Sequence, residues 1–493
     1  MTLALAIFYF GLLFVLSIYG CHRFMMVRLF LRHCRQPYRC PEKMKQLPMV
    51  TIQLPVFNER YVAERLIRAV VSMDYPADKL EIQVLDDSTD DTAEIVAELV
   101  AQYEKEGVQV YHIRRSARTG YKAGALAEGL KTARGEFVAV FDADFIPEPS
   151  FLMETLDHFS EENVGMVQGR WGHLNRNYSS LTRAQAILLD GHFVIEHNAR
   201  FRSGRFFNFN GTAGVWRKCA IEDAGGWQHD TLTEDLDLSY RAQVKGWRFV
   251  YLDDVQVPAE IPVNMAAFKS QQFRWAKGSI QTAKKLLLPV MRSDFPLRVR
   301  AEAAFHLSAN LSFLMMLCLS ILMPVITFIR IDRGLELTLL MDVPLFLMAT
   351  CSVCYFYLHS QRGKQGWLSS IFSLPLVLAL GVGMSLNNSK AVIEALIGRS
   401  TPFVRTPKYD ISSDKDHWLK KRYQENQWIQ PLFEILIGVW FTPAILVVLQ
   451  TGGLAYGSLP FLLLFQFGYL YVGLVSYGQS VLGGRTTADA PAQ

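Results

Sequence analysis

Apolar and polar residues divide the chain into two kinds of segment. Residues 2–20 carry no charge over a length that spans about 30 Å of bilayer hydrocarbon as a helix. Between about 46 and 300, polar residues interrupt every apolar run before it is long enough to cross a membrane. Five long apolar stretches follow, at 303–329, 337–358, 367–386, 433–450 and 454–475. The pattern predicts a water-soluble domain of roughly 250 residues between one N-terminal and several C-terminal membrane segments.

The residues that follow the first apolar stretch are basic. From 21 to 45 there are seven Lys and Arg residues and one acid, Glu42. Membrane proteins keep such flanks in the cytoplasm, so we expect the N-terminus outside and the soluble domain inside. A signal peptide explains the first stretch less well, because no basic region precedes it and no small-residue cleavage site follows it.

The C-terminal apolar stretches cannot all cross if the basic residues between them stay in the cytoplasm. Five crossings would put the basic segment 387–430 on the side opposite the soluble domain. Pro375, Gly381 and Gly383 interrupt the stretch 367–386, and we predict that this stretch is interfacial or re-entrant. Five spans then remain, with the N-terminus outside and the C-terminus in the cytoplasm.

Composition agrees with a protein that has both a membrane part and a soluble part. Hydrophobic residues make up 50% of the chain and charged residues 19%, against about 25% charged in an average soluble domain. The net charge of +4 gives no nucleic-acid footprint, and seven scattered cysteines are too few for a disulfide framework. The predicted parts are an N-terminal transmembrane helix at 1–22, a soluble domain at 46–300, transmembrane helices at 301–360, interfacial helices and a loop at 361–430, transmembrane helices at 431–478 and a C-terminal tail at 479–493.

The soluble domain alternates β-rich runs with helical patterns of 10 to 15 residues. The β-rich runs are VTIQLPV (50–56), EIQVL (81–85), VQVYHI (108–113) and EFVAVFDAD (136–144). This alternation predicts a parallel sheet covered by helices on both faces, with ligands at the carboxyl ends of the strands. Two pairs of carboxylates end strands at that edge, and unpaired carboxylates are too costly to serve as core residues. The pairs are Asp86 with Asp87 and Asp142 with Asp144.

Asp142 and Asp144 have the spacing of two ligands for one divalent cation. Hard oxygen ligands one residue apart can share Mg²⁺ or Mn²⁺, with water and phosphate oxygens in the remaining positions. The triplet alone is a weak signal, because D-x-D is common in turns. Three further groups strengthen it: Lys122, which can meet a phosphate as a point charge, the acidic pair Glu234–Asp235, and the adjacent cation and aromatic ring of Arg274–Trp275.

Other acidic and histidine residues are interpreted as structural. Asp90 and Asp91 precede a helix and are expected to cap it. His192 and His197 have no metal-like spacing to other ligands. Asp342 is the lone acid of an apolar run, and we expect it near the outer end of that run, at the membrane interface.

The motifs in this order resemble those of glycosyltransferase family 2, in its membrane-embedded polysaccharide-synthase branch. The strings FNGTAGVWR, DAGGW and QQFRW look closest to the plant cellulose-synthase-like A and C proteins, which make glucomannan and the glucan backbone of xyloglucan. The motifs are LPVFNE (54–59), VLDDS (84–88), GYKAGAL (120–126), FDAD (141–144), FNGTAGVWR (209–217), DAGGW (223–227), TED (233–235), QQFRW (271–275) and, after the soluble domain, FVRTPK (403–408).

The resemblance implies a fold and a role for each matching residue. The expected fold is an α/β GT-A (Rossmann-like) cytosolic catalytic domain joined to an α-helical transmembrane region. In the FVRTPK loop, which is similar to a gating loop, Arg405 stands where the family usually has Val. The implied catalytic residues are Asp235, as general base, and the adjacent Glu234. The implied donor-binding residues are Pro55, Glu59, Asp86, Asp87, Lys122, Asp142 and Arg274, and the implied metal ligands are Asp142 and Asp144. The implied acceptor-binding residues are Trp275, Gln271 and Asn210, and the implied gating-loop residues are Phe403, Thr406 and Lys408.

The function implied by the resemblance is inverting transfer of a hexose from a nucleotide-sugar to a growing β-linked polysaccharide. Mg²⁺ or Mn²⁺ is the expected cofactor, and the lipid bilayer, the donor and a glycan or lipid acceptor are the expected partners. UDP-glucose and GDP-mannose stay open as donors, as do accessory subunits and coupling to export. A bacterial inner membrane and a Golgi-type membrane both fit a multi-pass protein with a cytoplasmic catalytic domain. Two alternatives remain: a non-processive enzyme that makes a glycolipid, and a non-catalytic nucleotide-sugar-binding membrane protein.

Overall fold

The computed structural model describes residues 2–34, 38, 43–363, 367–411, 416, 418–421 and 428–488. Parts of the predicted interfacial region 361–430 and of the predicted tail 479–493 lie outside these residues. The strands are β1 Val50–Val56, β2 Leu80–Asp86, β3 Val110–Arg114, β4 Phe137–Val140, β5 Val164–His173, β6 Gly214–Arg217 and β7 Arg248–Ala259.

The helices account for most of the remaining described residues. A π-helical turn at Gly191–His197 joins α6 to α7. The α-helices are α1 Thr2–His33, α2 Ala63–Val71, α3 Thr92–Lys105, α4 Tyr121–Thr132, α5 Phe151–Leu156, α6 Ser180–Asp190, α7 Asn198–Arg202, α8 Lys218–Asp223, α9 Glu234–Val244, α10 Met265–Arg292, α11 Leu297–Ser308, α12 Leu311–Asp332, α13 Asp342–Gln361, α14 Leu374–Gly383, α15 Ser385–Leu396, α16 Ile429–Trp440, α17 Thr442–Thr451 and α18 Leu459–Ala488.

The strands form one seven-stranded sheet in the order β3-β2-β1-β4-β6-β5-β7. The four β-rich runs of the sequence become β1 to β4, and they pair in parallel as predicted. The prediction of a wholly parallel sheet is wrong, because β6 runs antiparallel to both β4 and β5. This strand has only four residues and follows the polar string FNGTA, so no apolar run marks it in the sequence.

The sheet is covered on both faces because its strands alternate their side chains. Ile52 of β1 and Ala139 of β4 belong to one buried apolar cluster, which also contains residues of α2 and α3. Val138 and Val140 of β4 face the opposite way and pack in a second cluster with residues of α4 and α9. Within β1 and β2 the buried polar residues bond to one another, Thr51 to Glu81 and Gln53 to Gln83. The acidic residues at the carboxyl ends of the strands lie at the edge where ligands bind in such sheets.

Six helical segments among the described residues are long and apolar enough to cross a membrane, judged by length and composition. They are Ala4–His33, Leu311–Asp332, Glu336–Gln361, Trp367–Leu396, Ile429–Thr451 and Gly453–Leu482. The first helix is longer than the predicted 1–22, because α1 continues through the basic flank, where Arg23 pairs with Glu196 of the soluble domain. The predicted tail is corrected as well, since α18 continues to Ala488.

Two of the residues interpreted as structural have partners that the sequence did not predict. Asp342 is buried, pairs with Arg330 at 2.9 Å and accepts a hydrogen bond from the Tyr9 hydroxyl at 2.8 Å. The side chain of Asp91 makes no capping bond and pairs instead with Arg60 at 2.5 Å. Asp90 accepts the Thr92 backbone N–H at 3.1 Å, so of the two residues expected to cap the helix it is Asp90 that bonds to the helix start.

Candidate active site

One cavity at the carboxyl ends of β1, β2 and β4 brings together nearly all of the predicted site residues. They come from stretches of chain that are far apart in sequence, and the cavity is closed on one side by the loop that follows α15. The predicted residues in its lining are Pro55, Glu59, Asp87, Lys122, Asp142, Asp144, Asn210, Glu234, Asp235, Gln271, Arg274, Trp275, Phe403, Thr406 and Lys408.

Asp86 is the exception among the predicted donor-binding residues, and its assignment is corrected. Its side chain is buried away from the cavity, where it pairs with the His112 ring at 2.9 Å and accepts the Ser88 backbone N–H at 2.8 Å. Burial would raise the pKa of Asp86, but these hydrogen bonds outweigh it and hold the pKa below its usual value. Asp87 is the member of this pair that reaches the cavity, where Arg115 binds its carboxylate.

The two carboxylates of the D-x-D triplet both lie against lysine ammonium groups. Lys122 Nζ is 2.5 Å from Asp142 Oδ1, and Lys408 Nζ is 2.6 Å from Asp144 Oδ2. Among the described residues no group of three or more His, Cys, Asp or Glu side chains is placed to hold a metal. A divalent ion at this site would therefore have two protein carboxylates and would take its other ligands from phosphate and water, as Mg²⁺ sites for nucleotides commonly do.

Glu234 and Asp235 begin α9 and face Lys122 across the cavity. Lys122 Nζ lies 3.9 Å from Glu234 Oε1, and Asp235 Oδ1 accepts the backbone N–H of Leu236 at 2.8 Å. Burial and repulsion from Glu234 raise the pKa of Asp235 to about 7, although Lys122 opposes the shift. A carboxylate with this pKa can accept a proton near neutral pH, which is what a general base requires.

Gly211 allows the cavity wall to pass close to this acidic pair. Its φ of +81° is in the left-handed region, and its carbonyl oxygen accepts a hydrogen bond from Lys122 Nζ at 2.9 Å. A Cβ at this position would lie 3.1 Å from Asp235 Oδ2 and 3.3 Å from Lys122 Nζ. The glycine of the FNGTAG string thus lets the cavity wall lie close to the Asp235 carboxylate and the Lys122 ammonium group.

The loop 403–408 closes the cavity through three polar contacts. The first is the pair of Lys408 with Asp144 described above. In the second, Arg405 pairs with Glu59 at 3.1 Å, and in the third, Thr406 Oγ1 accepts a hydrogen bond from Arg274 at 2.8 Å. The Phe403 ring lies 4.5 Å from the Arg274 guanidinium. Arg405, the residue that departs from the expected loop pattern, therefore contacts the predicted donor-binding residue Glu59.

Two histidines interpreted as purely structural hold Asn210 in one orientation. His197 Nε2 donates to Asn210 Oδ1 at 2.7 Å, and Asn210 Nδ2 donates to His192 Nε2 at 3.0 Å. His192 Nδ1 in turn donates to Glu196 at 3.1 Å, so the donor and acceptor directions of the whole chain of bonds are fixed. Burial lowers the pKa of His197 well below its usual value, and this keeps the ring neutral.

Trp171 is a cavity residue that the sequence analysis missed. It lies near the end of β5 and is 6.4 Å from Trp275, ring centre to ring centre, with the two planes at 56°. The string GRWGH offers only a weak signal, namely a large aromatic residue between polar residues and glycines near a strand end. The two rings together give the cavity an apolar wall suited to the face of a sugar.

Comparisons with known proteins give a matching family and similar relatives. Residues 48–278 match the family described as "Glycosyltransferase like family 2". The chain is 42% identical over 295 residues to glucomannan 4-beta-mannosyltransferase 1 of Oryza sativa subsp. japonica, which covers 57% of either chain. It is 43% identical over 251 residues to glucomannan 4-beta-mannosyltransferase 2 of Arabidopsis thaliana, covering 50% of this chain and 47% of that one. The chain thus spans about half the length of the curated relatives it matches.

A solved structure with a similar fold is the mannosyltransferase PcManGT from Pyrobaculum calidifontis in complex with GDP-Man and Mn²⁺. The superposition has a TM-score of 0.51 at 18% sequence identity and covers 81% of this chain and 100% of that chain. At this level of identity the likeness concerns the fold alone. The expected fold class is confirmed: an α/β GT-A domain joined to apolar helices that fit a multi-pass membrane protein.

Proposed function

We propose that the protein is a glycosyltransferase of family 2, the family that its residues 48–278 match, and that it is an inverting mannosyltransferase that extends a β-linked polysaccharide from GDP-mannose. The observation that carries the proposal is the single cavity in which Asp144, Asp235, Arg274 and Trp275 meet. The choice of mannose rests on the relatives named above, which are glucomannan mannosyltransferases with 42% and 43% identity. UDP-glucose is the second donor to be tested.

The cavity contains the groups that such a reaction requires. A hydroxyl of the acceptor attacks the anomeric carbon while the nucleotide diphosphate departs and gains negative charge. Asp235 accepts the hydroxyl proton, and Lys122 and Arg274 place positive charge where the leaving group becomes more anionic. Trp275 and Trp171 hold the acceptor sugar by its apolar face. Direct displacement from one side inverts the anomeric centre, so an α-linked donor gives a β-linked product.

Asp142 and Asp144 are the residues that would hold the divalent metal. Both carboxylates line the cavity and both already attract a cationic group, which is the donor chemistry that Mg²⁺ or Mn²⁺ needs. When bound, the metal supplies Lewis-acid stabilisation of the diphosphate.

Removal of divalent metal is expected to stop transfer. EDTA should reduce incorporation of labelled sugar to background in membrane vesicles, because two lysines alone cannot replace a dication on the leaving diphosphate. Adding Mn²⁺ or Mg²⁺ in excess should restore it, and vesicles treated with EDTA already saturated with Mg²⁺ serve as the control. Undiminished transfer in the chelator would contradict the metal assignment.

The rate of transfer is expected to rise with pH through about 7. Below that value Asp235 is protonated because its pKa is raised to about 7, so it cannot accept the acceptor proton. The value of kcat/KM should therefore increase about tenfold per unit on the acidic side and level off on the alkaline side. The measurement is a pH profile of initial rates. The residual rate of Asp235→Asn serves as the control and should be flat over the same range, whereas a flat wild-type profile would exclude this base.

The experiment that tests the function offers vesicles a panel of radiolabelled nucleotide-sugars and sizes the labelled product. We expect GDP-mannose to give a long product that an endo-β-1,4-mannanase degrades. A single-sugar lipid product would identify a glycolipid enzyme instead. Binding of the nucleotide-sugar without any labelled product would identify a non-catalytic protein.

We also propose that the catalytic domain is cytoplasmic and that the segment 367–386 does not cross the membrane. Contacts at both ends of the segment support this arrangement. Gln361, shortly before the segment, donates a hydrogen bond to Asp190 of the soluble domain at 2.9 Å. Glu394, shortly after the segment, pairs with Lys277 of α10 at 2.9 Å. An accessible-cysteine scan of this segment from either side of sealed vesicles would test it.

A further inference from the structure

A second cavity lies beside the active-site cavity, between the soluble domain and the start of α14. Its volume is about 590 Å³. The end of β5, the helix α6, the end of α13 and the turn at Trp367–Ser373 form its walls. The two cavities share the wall made by Trp171, Gly172 and His173. A ligand in the second cavity would therefore lie against the aromatic side of the active site.

The lining of this cavity is cationic. Arg170, Arg176 and Arg183 contribute three guanidinium groups, whereas Asp190 is the one carboxylate among the described lining residues. Arg176 is engaged with Asp190 at 2.6 Å, and Arg170 is 3.5 Å from Asp253.

Arg183 differs from the other two because no ion pair reaches it from the described part of the chain. Two buried donors of the cavity wall also have no hydrogen-bond partner within the described residues, namely the Trp171 indole N–H and the Arg170 Nε–H. Both donor atoms are covered by the protein itself, so within the lining it is the exposed guanidinium of Arg183 that is accessible to an acceptor group.

The turn at Trp367–Ser373 has one polar side and one apolar side. Ser370 and Ser373 line the cavity. Leu368, Ile371 and Phe372 are 58%, 44% and 87% exposed, and the apolar helix α14 follows directly. In a chain with apolar helices of membrane-spanning length, such side chains are expected to contact lipid, with Trp367 at the interface. The cavity thus lies where the soluble domain meets the bilayer surface.

We propose that this cavity binds the phosphate head group of an anionic membrane lipid. Guanidinium groups bind phosphate oxygens in pairs, and Arg183 is the cation available to do so. The acyl chains would follow the exposed apolar side of the turn into the bilayer. The proposal concerns lipid binding and not the transfer reaction, so it can be tested without a donor and holds or fails independently of the proposed function.

The test measures lipids retained by the full chain in native mass spectrometry after reconstitution with equal amounts of phosphatidylglycerol and phosphatidylcholine. The wild-type protein should retain phosphatidylglycerol in preference, and Arg183→Gln should reduce that preference by about fivefold. Lys105→Gln is the control, because it removes one positive charge from the exposed end of α3 in the soluble domain and should leave the preference unchanged. Arg183→Lys keeps the positive charge but lacks the planar guanidinium that binds two phosphate oxygens, so it should give an intermediate preference.

Competition with soluble glycerol 3-phosphate distinguishes a lipid site from a site for free phosphate. We expect millimolar glycerol 3-phosphate to leave the retained phosphatidylglycerol unchanged, because it lacks the acyl chains that contact the turn. Equal retention of phosphatidylglycerol by wild type and a folded Arg183→Gln protein, with an unchanged melting temperature, would overturn the proposal. Complete displacement by glycerol 3-phosphate would overturn the assignment to a lipid.

Discussion

Replacing Asp235 by asparagine is expected to lower the rate of sugar transfer by about 10²- to 10⁴-fold, which is the usual contribution of a positioned general base. The amide has the size and shape of the carboxylate but cannot take the acceptor proton. Asp235 lies beside Gly211 and faces Lys122, so the substitution removes one negative charge without a steric change in the cavity. The loss should appear in kcat, because the proton is transferred only as the reaction proceeds.

Binding of the nucleotide-sugar should survive this change, and that separates a catalytic role from a structural one. The measurement pairs initial rates with the dissociation constant of the donor in the same vesicles. Asp230→Asn is the matched control, since Asp230 is exposed, pairs with Lys285 at 2.9 Å and does not line the cavity. Full activity in Asp235→Asn would exclude the residue as the base. Loss of donor binding would show that it acts through the diphosphate instead.

The sequence predicted the edge of the sheet where the site lies because parallel strands point their carboxyl ends the same way. That rule placed Asp87, Asp142 and Asp144 together without knowledge of any contact. It did not separate Asp86 from Asp87, because the end of a strand does not reveal which of two adjacent carboxylates turns into the core. The ring of His112, on the edge strand β3 beside β2, binds Asp86 and so determines which of the two carboxylates turns inward.

Contacts between distant parts of the chain were beyond the sequence. Lys408 and Asp144 are separated by 264 positions, and Arg405 and Glu59 by 346. Periodicity describes single elements and carries no information on which loop covers which cavity. The histidines around Asn210 were missed for a related reason. Both histidines lie in the π-helical turn Gly191–His197, whose changed phase brings them to the same asparagine.

Replacing Arg274 by alanine is expected to lower kcat by about 10²- to 10³-fold, the usual cost of removing one preorganised donor at a site of developing charge. Its guanidinium lines the cavity between Thr406 and the ring of Phe403, so neighbouring groups already fix its direction. Arg274→Lys should recover only part of the rate, because an ammonium cannot bind two phosphate oxygens in a plane.

Thr406→Val distinguishes the diphosphate contact of Arg274 from its contact with the loop. The substitution removes the hydroxyl that accepts the Arg274 hydrogen bond and leaves the guanidinium in place, so we expect a loss of only about fivefold. Steady-state rates over a range of donor concentrations give kcat and KM for each variant. An Arg274→Ala protein with a higher KM and an unchanged kcat would mean that the residue binds donor and transition state equally, and so would contradict leaving-group stabilisation. A Thr406→Val loss as large as that of Arg274→Ala would assign the effect to closure of the loop 403–408, because the guanidinium would then act only by holding that loop over the cavity.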